Sequence, residues 1–283
     1  MIMKHHNIDW SKVWTEQMKR HQQCSNRKEC ASIWEEKESA KRFWEMSQRD
    51  NQKRARETIR SLHITPRSRV LDIGAGPGTL AIPLAEKVKS VTAVEPSKGM
   101  IEVLEENMAE YGCDNISIVK KKWEEIDISQ DLDGPYDVII ASFSLGMPDI
   151  HKAIEDMQAV SCGYIYLYWF AGETSWDIHS KKIWPQLHGA EYHITPKCDV
   201  LYNVIYNMGI YPNVETFTLG STEAYSSLDE AVEQLSNHFS LADNKQRAIL
   251  EQYLEENLKK ENGNCIYDAS STRVKMWWST TKN

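Results

Sequence analysis

The feature that most constrains the fold is a short apolar stretch that runs directly into a glycine-rich turn. Val70–Ile73 has the length and composition of a buried strand, and Gly74-Ala75-Gly76-Pro77-Gly78 follows it. Glycine at such a turn lets a ligand approach the backbone where a side chain would collide with it. The helix expected over about 79–88 offers unpaired N–H groups and a partial positive charge at its start. The pattern therefore predicts a ligand-binding turn at the edge of a sheet.

An acidic residue follows the next expected strand at a position that suits a nucleoside. Val91–Val94 forms this strand, and Glu95 comes directly after it. A carboxylate at the tip of the second strand can accept hydrogen bonds from both hydroxyls of a ribose. We therefore expect a nucleoside-containing ligand across the carboxyl edge of a parallel sheet.

Strands alternate with helices along most of the chain, which predicts βαβ units and a parallel sheet covered on both faces. Ser97 is placed to cap the helix that follows the second strand. A helical stretch from Ser227 to about Lys260 is expected between the last two strands. Beyond the first two, the expected strands are Ile116–Val119, Asp137–Ala141, Tyr164–Trp169, Val214–Leu219 and Arg273–Ser279.

The spacing of the three glycines separates two kinds of nucleoside site. Gly74, Gly76 and Gly78 read Gly-x-Gly-x-Gly, whereas the dinucleotide fingerprint is Gly-x-Gly-x-x-Gly. Preceded by Leu71-Asp72-Ile73, the turn resembles the first motif of the class I S-adenosylmethionine-dependent methyltransferases, over roughly residues 66–170. The resemblance implies a Rossmann-like α/β fold with a mostly parallel seven-stranded sheet, helices on both faces, and S-adenosylmethionine as cofactor. A nicotinamide-dependent dehydrogenase is the alternative.

The resemblance also implies which residues bind the cofactor. In that family the glycine-rich loop cradles the amino acid part of the cofactor, an aspartate helps to position it, and an acid binds the ribose. The end of the fourth strand borders the methyl group. The residues expected to contact the cofactor are Asp72, Gly74, Ala75, Gly76, Gly78, Glu95, Pro96, Ser97, Met100, Trp123, Ser142 and Phe143.

The third strand departs from the family pattern. Members commonly have Gly-Asp-Ala after it, with the aspartate bonded to the adenine amino group, whereas this chain reads Lys121-Lys122-Trp123. Lysine donates hydrogen bonds but accepts none, so Lys122 cannot replace that aspartate. We expect the Trp123 ring to pack on the adenine. The alternative is that Trp123 belongs to the hydrophobic core.

No motif of the chain identifies the methyl acceptor. The Asn/Asp-Pro-Pro-Tyr/Phe signature of enzymes that methylate nucleobase amino groups or glutamine does not occur after the fourth strand. A sulfonium methyl is already activated, so alignment of an acceptor atom about 3 Å away provides much of the acceleration. A base is required only for a protonated or weak nucleophile, and His188 and His193 are the candidates for it. The spacing of His and Cys matches no zinc pattern, and no metal is expected.

Charge is distributed unevenly along the chain. Residues 1–60 hold 14 Lys/Arg against 9 Asp/Glu, a balance of +5, whereas the remainder holds 19 against 32, or −13. We expect residues 1–62 to form an N-terminal helical extension or lid, and residues 63–283 to form the cofactor-binding domain. Within that domain, the aromatic-rich segment 171–211 is expected to be an inserted lid that binds the acceptor. A pair such as Trp10 and Trp14 is more typical of core packing than of a substrate cage.

A small organic acceptor is favoured by the aromatic segment and by the net charge of −8. A protein side chain and RNA are the alternatives, and nucleic acid is disfavoured because its binding depends on neutralising phosphates. A non-catalytic partner protein that keeps only the cofactor fold is disfavoured by the intact turn and by Glu95. Six scattered cysteines, no apparent secretory signal and no apolar stretch of about 18–20 residues predict a cytoplasmic protein with reduced thiols that does not enter a membrane. The sequence predicts no oligomeric state.

Overall fold

The computed structural model describes residues 8–25, 34–220 and 222–281. Its helices are α1 Trp10–Ser25, α2 Lys37–Arg60, α3 Ala81–Ala85, α4 Lys98–Tyr111, α5 Ile150–Val160, α6 Ser175–His188, α7 Cys198–Asn207, α8 Leu228–Ser236 and α9 Asn244–Asn257. Its strands are β1 Arg69–Ile73, β2 Ser90–Val94, β3 Ile116–Val119, β4 Tyr136–Ser142, β5 Ser161–Phe170, β6 Asn213–Leu219, β7 Thr222–Tyr225, β8 Lys259–Glu261, β9 Asn264–Asp268 and β10 Ser271–Ser279. Within these ranges, no helix combines the length and apolarity needed to cross a bilayer.

Seven strands form one sheet in the order β3-β2-β1-β4-β5-β10-β6. The four neighbouring pairs from β3 to β5 are parallel. β10 runs against β5, because Thr280 donates its N–H to the Gly163 carbonyl while Ala171, past the other end of β5, donates to Thr272. The predicted α/β fold with a mostly parallel seven-stranded sheet is confirmed.

The strand order creates a switch point between β1 and β4. The chain leaves β1 for β2 on one side and later returns to β4 on the other. Open α/β sheets bind ligands beyond the carboxyl ends of the strands at such a point. The register aligns Ile73 with Val94 of β2 and with Ala141 of β4, so the segments that follow these strands meet at one edge.

The first strand is buried along four consecutive residues, Val70–Ile73. Continuous burial is typical of a parallel strand whose two faces are both covered. Asp72 differs from its neighbours because it is an acidic residue inside this apolar strand, and it is only 2% exposed. The sheet therefore carries a buried carboxyl group one residue before its carboxyl edge.

The chain divides into two compact units. Among the described residues, the sheet unit comprises 34–169, 202–215 and 275–281, and the hairpin unit comprises 8–25, 170–201, 216–220 and 222–274. This grouping assigns α1 to the hairpin unit and α2 to the sheet unit, whereas the sequence predicts a boundary between residues 62 and 63. The roles of residues 1–62 and 171–211 as a lid stay predictions.

The hairpin unit has a hydrophobic core of its own. Its three-stranded antiparallel sheet, in the order β7-β9-β8, packs with α6, α8 and α9 around Ile183, Phe239, Leu250 and Leu254. These four side chains are fully buried. The unit therefore has the internal packing of a small α+β subdomain.

The expected helix from Ser227 to about Lys260 is wrong in two places. The residues between α8 and α9 are not helical, and Ser240 there has a φ of 54°. After α9 the chain forms the hairpin of β8 and β9. Asn262 and Gly263 join these strands with φ values of 50° and 81°, as a two-residue type I′ turn requires.

Gly263→Ala is expected to destabilise the chain by about 1 kcal/mol, because an L side chain in the left-handed region is strained. A Cβ at Gly263 would meet nothing within 4 Å, so the effect is conformational and not steric. Gly172→Ala is the matched control, since Gly172 is equally open and its φ is not positive. Urea unfolding of both variants measures the difference. Equal stability of the two variants would contradict a left-handed conformation at Gly263.

Candidate active site

The glycine-rich turn is bonded to the strands on both sides of β1. Gly74 and Ala75 donate their N–H groups to the Val94 carbonyl of β2 at 2.8 and 3.1 Å. On the other side, the Ser144 hydroxyl donates to the Ile73 carbonyl at 2.5 Å. A Cβ on Gly74 would stand 2.3 Å from the Ser144 Cβ, so this approach requires glycine. These contacts fix the turn between β2 and the loop after β4.

Gly76 presents its backbone to open space. Its φ is 57°, and within 4 Å a Cβ there would meet the Met100 sulfur, at 3.9 Å. Gly78 is different, because a Cβ there would lie 2.7 Å from Leu104 of α4. The middle glycine therefore leaves room for a ligand against the turn, with Met100 at the border of that space.

Glu95 lies directly behind the turn and is 5% exposed. Its two carboxylate oxygens accept the N–H groups of Gly76 and Ser97, both at 2.9 Å. Burial raises the pKa of Glu95, while these two N–H donors oppose that rise. Ser97 is the N-cap of α4 as expected, although its side chain makes no capping bond, and Pro96 lies between it and Glu95. Glu95 therefore ties the turn to the start of α4.

Asp72 has a buried oxygen that no described residue satisfies. Among the residues that the structure describes, Asp72 Oδ2 has no hydrogen-bond partner, and the same holds for the buried Thr79 hydroxyl. Burial and, secondarily, the negative charge of Glu95 raise the pKa of Asp72 to about 7. Buried polar groups are rarely left unsatisfied in native proteins. The unsatisfied carboxyl therefore indicates that a ligand supplies the missing donor or cation.

The end of β4 also lies at this edge. Phe143 follows Ser142 and donates its N–H to the Tyr168 carbonyl of β5 at 3.0 Å. Its φ is 59°, a left-handed conformation that is uncommon for a bulky residue. Ser144, next along the chain, is the residue that contacts Gly74. The loop after β4 is therefore in direct contact with the glycine-rich turn.

Trp123 is buried and anchored. Its side chain is 3% exposed, and the indole N–H donates to the Ala153 carbonyl of α5 at 3.1 Å. These contacts agree with a core residue, which was the alternative interpretation, and its packing on adenine stays a prediction. Lys122 lies 4.0 Å from Glu125, so its ammonium group faces an exposed acid.

The two candidate bases lie in the hairpin unit. His188 donates from Nε2 to the Phe239 carbonyl at 2.9 Å, and its ring packs on Trp184 with 4.1 Å between centroids. The backbone of His193 contacts Cys24 and His21. These contacts use one ring nitrogen of His188 structurally, and a catalytic role for either histidine stays a prediction. The described part of the chain contains no cluster of three His, Cys, Asp or Glu that could hold a metal.

A cavity of about 360 Å³ opens beside Trp123 in the sheet unit. It is lined by several acidic side chains, including Asp127, Asp149 and Asp156, and by Lys152, which pairs with Asp156 at 2.5 Å. The residues that line it do not include the glycine-rich turn, Asp72 or Glu95. This cavity is therefore separate from the space beside Gly76.

Comparisons with known proteins show a similarity to methyltransferases. Residues 70–161 match the family model of a methyltransferase domain. A proposed methyltransferase from Bacillus halodurans C-125 has a TM-score of 0.58, covering 81% of this chain and 99% of its own, at 14% identity, which is a likeness of fold. Residues 70–161 therefore carry a methyltransferase domain, in agreement with the predicted class I S-adenosylmethionine-dependent family. The predicted family, enzyme class and cofactor are confirmed.

Sequence relatives share the methyltransferase domain to different extents. An uncharacterized protein of Haemophilus influenzae is 26% identical over 232 residues, which are 80% of this chain and 81% of that protein. The ribosomal RNA small subunit methyltransferase A of Lachnoclostridium phytofermentans is 40% identical over 73 residues. That match covers 25% of this chain and 24% of the rRNA enzyme, so most of each chain is unmatched.

The residues at the turn fit S-adenosylmethionine. The cofactor carries a sulfonium and an ammonium cation, and Asp72 offers a buried carboxyl oxygen that has no partner among the residues the structure describes. Each oxygen of Glu95 accepts one N–H and retains a lone pair that can accept from a ribose hydroxyl. The individual contacts between these residues and the cofactor stay predictions.

One residue of this edge was missed by the sequence analysis. The guanidinium carbon of Arg54, on α2, lies 4.8 Å from the centroid of the Phe143 ring. Arg54 is one of eight Lys/Arg on that helix, so nothing in the sequence distinguishes it from the others. Its contact with a residue 89 positions later (143 − 54) is decided by tertiary packing.

Asp72→Asn is expected to stabilise the cofactor-free chain at pH 8. The folded chain ionises Asp72 only near pH 7, whereas the unfolded chain does so near 3.8, and the difference costs on the order of 2–4 kcal/mol above pH 7. The gain should shrink as the pH falls from 7 towards 4, because the folded and unfolded states then both bind the proton. Urea unfolding at pH 8, 6 and 5 measures it. A gain that is independent of pH would contradict the raised pKa.

Proposed function

We propose that the chain transfers the methyl group of S-adenosylmethionine to a small organic molecule. The observation that carries methyl transfer is the unsatisfied Asp72 carboxyl behind a turn whose middle glycine, Gly76, is open to a ligand. Glu95 supports the same site, because it has lone pairs left for a ribose. The residues at the turn then hold the cofactor, and the segment after β4 borders the reacting atoms.

Methyl transfer depends more on the alignment of the acceptor with the methyl group than on a catalytic side chain. The cofactor supplies an activated methyl group, so the protein must align an acceptor and keep water away from it. The rigid attachment of Gly74 to β2 and to Ser144 suits this role, because it fixes the turn against the end of β4. A base is necessary only if the acceptor is protonated, and His188 and His193 remain proposals for it.

The charge of the chain supports a small acceptor. Beyond residue 60 the balance is −13, which opposes contact with a phosphate backbone. The match to the rRNA enzyme of Lachnoclostridium phytofermentans covers 25% of this chain, so it carries no information about most of it.

RNA is the second candidate, and one observation favours it. Helix α2 carries eight Lys/Arg against four Asp/Glu, a balance of +4 on a single element of the sheet unit. Basic helices of this kind bind phosphates, and the resulting affinity falls steeply with salt. An RNA acceptor would therefore show a strong salt dependence that a small acceptor would lack.

The experiment that tests the function uses S-adenosylmethionine labelled in its methyl group. The purified chain is incubated with three fractions of a cell extract: molecules below a few kilodaltons, RNA, and protein. We expect label transfer and S-adenosylhomocysteine formation with the small-molecule fraction. Transfer to RNA alone would replace the proposal with the second candidate. No transfer to any fraction, with cofactor binding intact, would contradict it.

Glu95→Gln is expected to weaken the binding of S-adenosylhomocysteine at least tenfold. The amide keeps one acceptor but turns an N–H₂ group towards a backbone N–H, so either the turn or the ribose loses its partner. Glu110→Gln, on the exposed side of α4, is the matched control. Isothermal titration measures the affinity, and the melting temperature without ligand verifies the fold. Wild-type affinity in the Glu95 variant would exclude this residue from the site.

A further inference from the structure

Arg54 lies against the segment that contacts the glycine-rich turn. Its guanidinium carbon is 4.8 Å from the centroid of the Phe143 ring, and the neighbouring Ser144 contacts Gly74. A cation on an aromatic face is attracted by the ring, and the guanidinium keeps its N–H donors for other partners. The arrangement therefore places five N–H donors next to the end of β4.

Within the part of the chain that the structure describes, this cation has no anionic partner. Among the described residues, Arg54 makes neither an ion pair nor a hydrogen bond. Other cations of the sheet unit do, for instance Lys121 with Asp131 at 2.7 Å and Lys120 with Glu105 at 2.6 Å. Burial lowers the pKa of Arg54, and no nearby carboxylate opposes that effect. Arg54 is partly buried. A partly desolvated charge without a partner among the described residues is unfavourable, and charged groups with perturbed pKa values cluster at functional sites.

The backbone conformation of Phe143 supports a functional role for the contact between Arg54 and the Phe143 ring. A bulky residue with a φ of 59° is strained, and strain of this kind persists where the surrounding structure imposes it. The left-handed conformation of Phe143 occurs at the end of β4, where this segment contacts both the glycine-rich turn and α2. Strained residues cluster at ligand sites, and Phe143 is the residue that supports the guanidinium.

We propose that Arg54 binds an anionic group, a carboxylate or a phosphate, on the methyl acceptor. The planar guanidinium fits such groups with two parallel hydrogen bonds, which a lysine cannot reproduce. The inference rests on the proposed function and adds the chemical class of the substrate: a small organic anion.

The test measures anion binding to the full chain saturated with S-adenosylhomocysteine. Phosphate and acetate are titrated against chloride at constant ionic strength, and the melting temperature is followed. We expect phosphate or acetate to raise it by a few degrees in the wild type, and Arg54→Gln to lose at least half of that rise. Arg56→Gln, on the exposed side of the same helix, should keep it. If Arg54→Gln does not fold, Arg54→Lys replaces it. A smaller rise in melting temperature is again expected, because lysine lacks the two parallel N–H donors of the guanidinium.

Three results would overturn the inference. The first is an equal rise in the wild type and the Arg54 variant, and the second is no rise in the wild type. The third is a tenfold loss of affinity for S-adenosylhomocysteine in the variant with unchanged affinity for methylthioadenosine, which lacks the amino acid carboxylate. That result would assign Arg54 to the cofactor. Each of these outcomes is independent of the label-transfer experiment, so a failure of the proposed function is distinguishable from a failure of this inference.

Discussion

The burial of two carboxyl groups at the carboxyl edge of the sheet is the constraint on which the site depends. Glu95 is stabilised there by the N–H groups of Gly76 and Ser97, so its burial also fixes the turn and the start of α4. Asp72 has no equivalent compensation for Oδ2, and its pKa rises to about 7. The cofactor-free fold is therefore less stable than it would be with an uncharged side chain at position 72. Under the proposed function, a cationic cofactor beside Asp72 would remove that deficit and so couple the stability of the sheet to cofactor binding.

The same edge is completed by segments that are distant in the sequence. Ser144 contacts Gly74 after an intervening stretch that contains β2, β3 and β4. Arg54 reaches Phe143 from a helix that precedes the whole sheet. The turn carries the motif that resembles the family, whereas Phe143 in the loop after β4 and Arg54 in α2 lie outside that motif. Substrate choice is expected to depend on this second group, because the reaction requires alignment of an acceptor more than a specialised catalytic side chain.

Local patterns predicted the fold well where each element is defined by its own residues. The strands β1 to β6 and β10 follow from apolar runs between turn signals, and the fold class follows from their alternation with helices. The hairpin unit was predicted poorly, because its elements are short and their stability comes from shared core residues such as Phe239 and Leu250. One signal was available and overlooked: Asn262-Gly263 is the strongest short-range sign of a two-residue hairpin.

The sequence by itself determined the order of the strands along the chain, the glycine-rich turn and the acid after β2, because each depends on residues close together in the chain. The resemblance of residues 71–78 to the first motif of the class I methyltransferases also implied the cofactor class, and that motif is a local property of the sequence. Only the tertiary structure decided that the Asp72 carboxyl is left without a partner and that Trp123 is bonded to α5. It alone brought Arg54 to Phe143. Burial and charge pairing depend on the packing of distant segments, which no local pattern specifies.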